Sequence, residues 1–222
     1  MVEQAVEQPA SAELTGAAGA AGAAGEAVGL DAGKPKRADA RRNHDALLAA
    51  AGEVFAERGI EASLEEIARR ANVGIGTLYR HFPTRDALNE AVYRREVETL
   101  CAAADELRAD HAPDEALAAW MHRFAGYVAK KRGMAAALKS ALGADNELFT
   151  YSRERIHGAL NDLVTAAVAS GSIRPDTDAE DVIRALSGIC MASDLPGEDR
   201  TSRLIDLIVD GLRYRPAATA AP

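Results

Sequence analysis

The sequence predicts an all-α protein with a small N-terminal head and a larger C-terminal body. Three observations support this fold class. Apolar residues recur three and four positions apart along most of the chain. Helix-start signals are frequent, such as Ser63 followed by Glu66 and Thr177 followed by Glu180. No stretch shows the apolar–polar alternation of a half-buried strand.

Residues 1–33 are predicted to be a disordered tail. Ala and Gly make up 17 of these 33 positions, and the segment holds five acidic residues and no Lys or Arg. It has too few large apolar side chains to offset the entropy of ordering. The last residues, 216–222, are predicted to be a second disordered tail.

A basic arm is predicted to lead into the first helix, which we place from about Asp39 to Arg58. The arm consists of Lys34, Lys36, Arg37, Arg41 and Arg42. Such an arm can follow phosphates or enter a minor groove, or it can be a solvated linker; the sequence leaves both interpretations open. Residues 34–84 are assigned to one domain, which contains this arm and the segment described next.

Residues 63–85 carry the clearest motif. Ser63 is a suitable N-cap, Asn72-Val73-Gly74 is a corner, and a second helix is expected from about Gly74 to His81, ended by Pro83. Two short helices joined by a three- or four-residue turn containing Gly form a helix-turn-helix. The sequence therefore predicts a helix-turn-helix in residues 63–85.

Six further helices are predicted in residues 85–215. They begin at about Arg85, Asp114, Gly133, Glu147, Thr177 and Asp199. The helix from Asp114 to Arg132 carries the most aromatic face of the chain, and the basic run at its end is interpreted as a C-terminal cap. The last helix has a wider apolar arc than one core face needs, which is typical of an interface.

The charge distribution separates the head from the rest. The formal net charge is −8, yet residues 34–85 hold ten Lys and Arg against seven Asp and Glu. A basic head on an acidic body is the pattern of a DNA-binding module. No apolar run approaches the ~18 residues of a membrane helix, and the acidic N-terminal segment is not expected to be a secretory signal. Cys101 and Cys190 are expected to be buried thiols. We expect a cytoplasmic protein without metal or cofactor.

The head resembles the TetR-type bacterial transcriptional regulators over about 45 residues, from Arg42 to Leu88. The matching segments are Ser63–Ala68, Ala71–Val73, Gly76–Phe82 and Arg85–Leu88. The sequence departs from the family pattern at Arg85, where Lys is more usual. The resemblance implies a three-helix DNA-binding head, a helical ligand-binding and dimerisation domain, and a repressor released by a small molecule.

The resemblance also implies which residues contact double-stranded DNA. Tyr79, His81 and Arg85 correspond to phosphate contacts, and Thr77 lies where bases are read. The complete predicted DNA-binding set is Lys36, Arg37, Arg41, Arg42, Ser63, Gly74, Ile75, Gly76, Thr77, Tyr79, Arg80, His81 and Arg85. A dimer would present two such heads to a palindromic operator.

Two further sites are expected in the body. The effector cavity is predicted to be mostly apolar and lined by Trp120, Met121, Phe124, Tyr127, Met134, Leu138 and Phe149. The homodimer seam is predicted to involve Ile183, Leu186, Ile189, Leu204, Ile205, Ile208 and Leu212. The family forms its cavity and its dimer from the corresponding helices.

Two other classes of protein remain as alternatives. Glu154 and His157 form an ExxH pair on a helix, as in di-iron bundles, but no other histidine follows a glutamate at that spacing. A metalloenzyme is therefore disfavoured. The second alternative is a helical dimeric interaction protein that no longer binds DNA specifically.

Overall fold

The computed structural model describes residues 34–143, 146–192 and 198–213, and every regular element within them is an α-helix. The elements are α1 (Lys34–Arg58), α2 (Leu64–Arg70), α3 (Ile75–His81), α4 (Arg85–Asp110), α5 (Pro113–Leu142), α6 (Glu147–Ala169), α7 (Ala179–Ala192) and α8 (Glu198–Arg213). The all-α prediction is confirmed. The two predicted tails lie outside the described residues.

Helix α1 begins at Lys34, five residues before the predicted start at Asp39. Pro35 lies in its first turn, where a missing backbone N–H costs no intrahelical hydrogen bond. The prediction of an arm that precedes the helix is therefore wrong. The basic residues Lys36, Arg37, Arg41 and Arg42 all belong to the first turns of α1.

The head is held together by apolar packing and by ion pairs between α1 and α2. Leu47, Ile67 and Leu78, one from each helix of the head, are fully buried. Arg70 donates two hydrogen bonds, of 2.6 and 2.8 Å, to the Glu57 carboxylate. These contacts fix the orientation of α2 and α3 against α1.

Helix α4 connects the head to the body. On one side, the Arg95 guanidinium donates a 3.0 Å hydrogen bond to the backbone carbonyl of Asp45 in α1. On the other side, α4 packs against α5 and α6. Trp120 of α5 is fully buried, and its indole N–H donates to the Leu100 carbonyl at 3.0 Å. The buried residues of head and body form one hydrophobic cluster within the described part of the chain.

Helix α5 is continuous for 30 residues, whereas the sequence predicts two helices that meet at Gly133. A Cβ at Gly133 would meet no atom within 4 Å, and Gly133 has no positive φ. Met134 and Leu138 continue the buried face of the helix beyond it. Packing therefore outweighs the low helix propensity of one glycine. Residues 130–132 are helix interior and do not form the predicted cap.

Helices α7 and α8 cover α5 and α6. Asp178 caps α7, because its carboxylate accepts the Glu180 backbone N–H at 2.6 Å. The predicted cap, Thr177, instead donates its hydroxyl to the Arg174 carbonyl at 2.9 Å. Helix α8 is joined to α5 through His122 and Asp206, 2.9 Å apart.

Candidate nucleic-acid interface and ligand cavity

The corner between α2 and α3 is a Schellman motif. Asn72 has a left-handed φ of 56°, and its N–H donates to the Arg69 carbonyl at 3.1 Å. The next N–H, that of Val73, donates to the Ala68 carbonyl at 3.0 Å. Both bonds satisfy carbonyls that the end of α2 leaves free. Gly74 then provides the N-cap position of α3, with an extended backbone.

Helix α3 is anchored by one face and presents the other to solvent. Leu78 is fully buried, and Phe82 just after the helix is nearly so. On the outer face, the large side chains of Ile75 and Tyr79 are 37% and 46% exposed. The helix carries no acidic residue. An exposed aromatic residue on an acid-free helix suits contact with a polyanion.

Two predicted contact residues, Thr77 and Arg80, interact with each other along α3. Arg80 folds back toward the start of the helix, where its Nε donates to the Gly76 carbonyl at 3.1 Å. Its Nη2 donates to the Thr77 hydroxyl at 3.2 Å. The positive charge of Arg80 therefore lies close to the N-terminal, outward-facing end of α3.

The start of α1 lies beside the end of α3. The His44 ring is 5.8 Å from the His81 ring and 5.2 Å from that of Phe82, measured between centroids. Arg37 and Arg41 precede His44 by seven and three residues, so they share its face of α1. Both arginines are exposed, as is Arg42, which pairs with Asp39. The basic turns of α1 therefore extend the surface of α3.

Two further residues of the predicted DNA-binding set, Arg85 and Ser63, form hydrogen bonds within the protein. The Nη1 of Arg85 donates to the Ile60 and Ala62 carbonyls, both at 2.8 Å. Ser63 accepts the Glu66 backbone N–H at 3.4 Å and donates its hydroxyl to Glu65 at 2.6 Å. The Ser63 hydrogen bond is the main cause that lowers the pKa of Glu65. Ser63 is the predicted N-cap of α2, whereas the sequence pattern does not indicate that Arg85 holds the loop before this helix.

A cavity of about 750 Å³ lies between α5, α6 and α7. Of the predicted effector residues, Phe124 and Tyr127 line it. Tyr127 and Met134 line a second cavity, of about 370 Å³, between α1, α4 and α5. Four further predicted residues fill the core or pack elsewhere and do not line the 750 Å³ cavity. These are Trp120, Met121 and Leu138, which are buried, and Phe149, whose ring packs edge-on against Tyr93.

The polar groups of this cavity are mostly cationic. They are Lys131, Lys139, Arg153, His157, Glu180, Arg184 and Ser187. Glu180 accepts hydrogen bonds from Arg184 at 2.7 Å and pairs with His157 at 2.8 Å, and these contacts lower its pKa. Burial, and to a lesser degree the charge of Lys139, lowers the pKa of Lys131 to about 7. Sequence reasoning missed Lys131 because it placed the residue in a solvated helix end.

The predicted dimer residues occupy different environments. Leu186 and Ile205 are fully buried within one protomer, so they pack its own core and have no surface for a partner. Ile183, Ile189, Ile208 and Leu212 are partly buried, and Leu204 is 37% exposed. Among the described residues, the most exposed large apolar side chains are Met191 and Leu207, at 73% and 66%, and neither belongs to the predicted set.

Comparison with known proteins identifies the family. Residues 47–92 match the family of bacterial regulatory proteins named after tetR, and residues 112–214 match the C-terminal domain of SbtR-like transcriptional regulators. A TetR transcriptional regulator from Streptomyces coelicolor has a similar structure, with 47% identity and a TM-score of 0.71. The alignment covers 78% of this chain and 99% of that one. The chain belongs to the TetR family.

Other TetR-family proteins agree with this assignment. A TetR transcription regulatory protein from Mycobacterium vanbaalenii is 34% identical, with a TM-score of 0.68 over 81% of this chain and all of that one. A helix-turn-helix transcriptional regulator from Staphylococcus aureus is 33% identical over 79 residues. That match covers 35% of this chain and 43% of the relative, so it concerns less than half of either protein.

The ExxH pair that suggested a metalloenzyme consists of Glu154 and His157. In the structure, the His157 side chain pairs with Glu180 of α7 and not with a second ExxH motif. Within residues 34–143, 146–192 and 198–213, no group of three or more His, Cys, Asp or Glu side chains is arranged to hold a metal ion. In the same residues, no helix is both long and apolar enough to span a bilayer.

Proposed function

We propose that this protein is a sequence-specific DNA-binding transcriptional regulator that acts as a homodimer on a palindromic operator. The observation that carries the proposal is the geometry of α3, which is fixed from behind by Leu78 and presents Ile75, Tyr79 and Arg80 outward. A helix supported in this way can enter a major groove by its N-terminal end. Membership of the TetR family supports the same function.

The contacts divide into two kinds. Thr77, near the N-terminal end of α3, reads bases, because a threonine can hydrogen-bond to a base edge or contact a thymine methyl group. Tyr79, His81 and the basic face of α1 contact phosphates, which set the register of the helix on the duplex. Arg85 supports the interface by holding the loop before α2 and contributes its charge to the same surface.

We infer that the protein is a repressor released by a small molecule bound in the 750 Å³ cavity. The cavity lies in the body, between α5, α6 and α7, and its size suits a drug-sized ligand. A ligand can release the operator only if it binds better to a dimer whose heads are wrongly spaced. The expected consequence is higher activity of the regulated promoter in cells that lack the protein.

DNA binding is tested by fluorescence anisotropy with labelled duplexes from upstream of the protein's own gene and an excess of unrelated competitor DNA. The double variant Tyr79→Ala/Arg80→Ala is expected to lose competitor-resistant binding. The matched control is Arg108→Ala, which removes one exposed positive charge near the end of α4, in the body. It is expected to bind as tightly as the wild type.

The opposite result would favour the interaction-protein alternative. In that case the wild type would bind every duplex equally and lose this binding at moderate salt, and the double variant would behave in the same way. Such binding is the sequence-independent attraction of a basic surface for phosphates.

A further inference from the structure

Lys131 is the most unusual charged group of the body. It lies in the middle of α5, is largely buried, and lines both the 750 Å³ cavity and the smaller cavity next to α1. Among the described residues, no carboxylate pairs with it. A buried ammonium group without an acid partner is costly, and proteins rarely keep one without a role.

Two aromatic rings and one hydroxyl hold the Lys131 side chain in place. The ammonium lies 3.9 Å from the ring centroid of Tyr93 and 4.5 Å from that of Tyr127. It also donates a hydrogen bond to the Tyr127 hydroxyl. The electron-rich faces of the rings stabilise the positive charge partially. An ammonium group has three donors, so this environment leaves capacity for an acceptor from the cavity.

The other charges around the cavity increase its positive potential. The only carboxylate among its described lining residues, Glu180, is already shared by Arg184 and His157. Lys139 and Arg153 are also lining residues, and neither forms an ion pair with a described acidic residue. The remainder of the lining is largely apolar and includes Phe124, Val128, Ile156 and Ile183.

We propose that the effector is an amphipathic organic anion, whose acidic group binds Lys131 and whose apolar part fills the cavity between α5, α6 and α7. The acid forms a charge-assisted hydrogen bond with the Lys131 ammonium, and Lys139 adds long-range attraction at the exposed edge. The apolar part contacts Phe124 and Ile156. This inference rests on the proposed function in naming the ligand an effector, but the binding site stands on its own contacts.

The position of Lys131 also connects the ligand to the DNA-binding head. Lys131 and Tyr127 separate the effector cavity from the smaller cavity, whose other wall includes Leu48 and Phe55 of α1. An anion that draws the ammonium away from the Tyr93 ring changes the packing between α5 and α4. Because α4 connects the body to the head, we expect this change in packing to alter the distance between the two heads of the dimer.

The test compares two fluorescent probes with the same ring system. The anion 1-anilinonaphthalene-8-sulfonate carries a sulfonate, and N-phenyl-1-naphthylamine lacks it. The wild type is expected to bind the anion at least tenfold more tightly than the neutral probe. The Lys131→Met variant is expected to bind the anion at least tenfold more weakly than the wild type and the neutral probe within twofold of it.

Two further variants complete the comparison. Lys130→Met removes an equal charge from the neighbouring position, which is exposed and does not line this cavity, so its binding is expected to match the wild type. Lys131→Arg keeps the charge and is expected to retain most of the preference for the anion. If Lys131→Met does not fold, Lys139→Gln provides a second test, with an expected two- to fivefold loss of anion affinity.

Equal binding of the two probes by the wild type, or a preference that persists in Lys131→Met, would overturn the inference. The same samples, titrated with operator DNA, separate this failure from that of the proposed function. Operator binding without any anion preference contradicts only the ligand assignment. An anion preference that depends on Lys131, in a protein that does not bind DNA, contradicts only the regulator.

Discussion

At the scale of single residues, Arg85 makes contacts that the family pattern does not imply. Its Nη1 donates to two backbone carbonyls, those of Ile60 and Ala62, in the loop between α1 and α2. The position of this loop sets the start of α2. We therefore expect Arg85 to affect DNA binding through the stability of the head as well as through its charge.

The Arg85→Ala variant is expected to lose about 1–2 kcal/mol of unfolding free energy, because two backbone carbonyls lose a charged donor. The Arg80→Ala variant, which changes an exposed side chain, is expected to stay within about 0.5 kcal/mol of the wild type. Urea unfolding followed by circular dichroism measures both values. Equal stability of the two variants would show that the Arg85 contacts do not hold the loop.

A second prediction for a single residue is that Lys131 makes the unfolding free energy depend on pH. Its folded-state pKa is about 7, below that of the unfolded chain, so the unfolded state binds more protons between these two values. The unfolding free energy of the wild type relative to Lys131→Met is therefore expected to rise by about 2 kcal/mol from pH 7 to pH 9. Urea titrations across this range provide the measurement. Parallel profiles would mean that Lys131 is not desolvated.

At the scale of elements, the corner between α2 and α3 depends on the backbone of Asn72. Its left-handed φ of 56° is tolerated by asparagine and glycine but strained in a β-branched residue. Asn72→Val is expected to destabilise the protein by about 1–2 kcal/mol and to weaken operator binding. Asn72→Gly is expected to remain within about 0.5 kcal/mol of the wild type. Similar losses in both variants would instead point to the Asn72 side chain.

The elements also show how far the sequence determines this structure. The short helices α2 and α3 are predictable because caps and turn residues are local signals, and the structure confirms their position. The end of α5 is not predictable in this way, since Gly133 is a weak helix residue whose neighbours Met134 and Leu138 are fixed by tertiary packing. A helix end predicted at Arg132 implies a solvated Lys131, whereas the continuous helix α5 buries most of this charged side chain.

The same limit applies to the candidate sites. Helical spacing places Trp120 and Leu138 on an apolar face, but it does not distinguish a face that fills the core from one that lines a cavity. Likewise, the family pattern identifies Arg85 as a positive charge but not its carbonyl partners. Contacts between residues distant in sequence depend on the packing of whole helices.

At the scale of the whole molecule, helices α7 and α8 expose three large apolar side chains, those of Met191, Leu204 and Leu207. We expect these residues to contact the partner in the dimer. Leu207→Asp is expected to raise the dimer dissociation constant at least tenfold, because the new carboxylate would be buried without a partner. Light scattering coupled to gel filtration measures the mass. Thr150→Asp adds the same charge at an exposed position of α6 and is expected to leave the dimer intact.

A dimer that persists in Leu207→Asp would place the interface on another surface. If the interface is correct, the Leu207→Asp variant is expected to be a monomer that still unfolds in one cooperative transition. It is also expected to lose tight operator binding. A single head makes too few contacts for the affinity of a two-headed protein.

The central claim, that α3 of two linked heads reads major grooves, is tested most directly by dimethyl sulfate footprinting on the upstream DNA fragment. This reagent methylates guanine N7 in the major groove and adenine N3 in the minor groove. We predict protected guanines in two clusters, separated by a whole number of helical turns, about 10 base pairs each. This protection should disappear in Tyr79→Ala/Arg80→Ala. Protection of adenines alone, or of guanines in both proteins alike, would contradict the account.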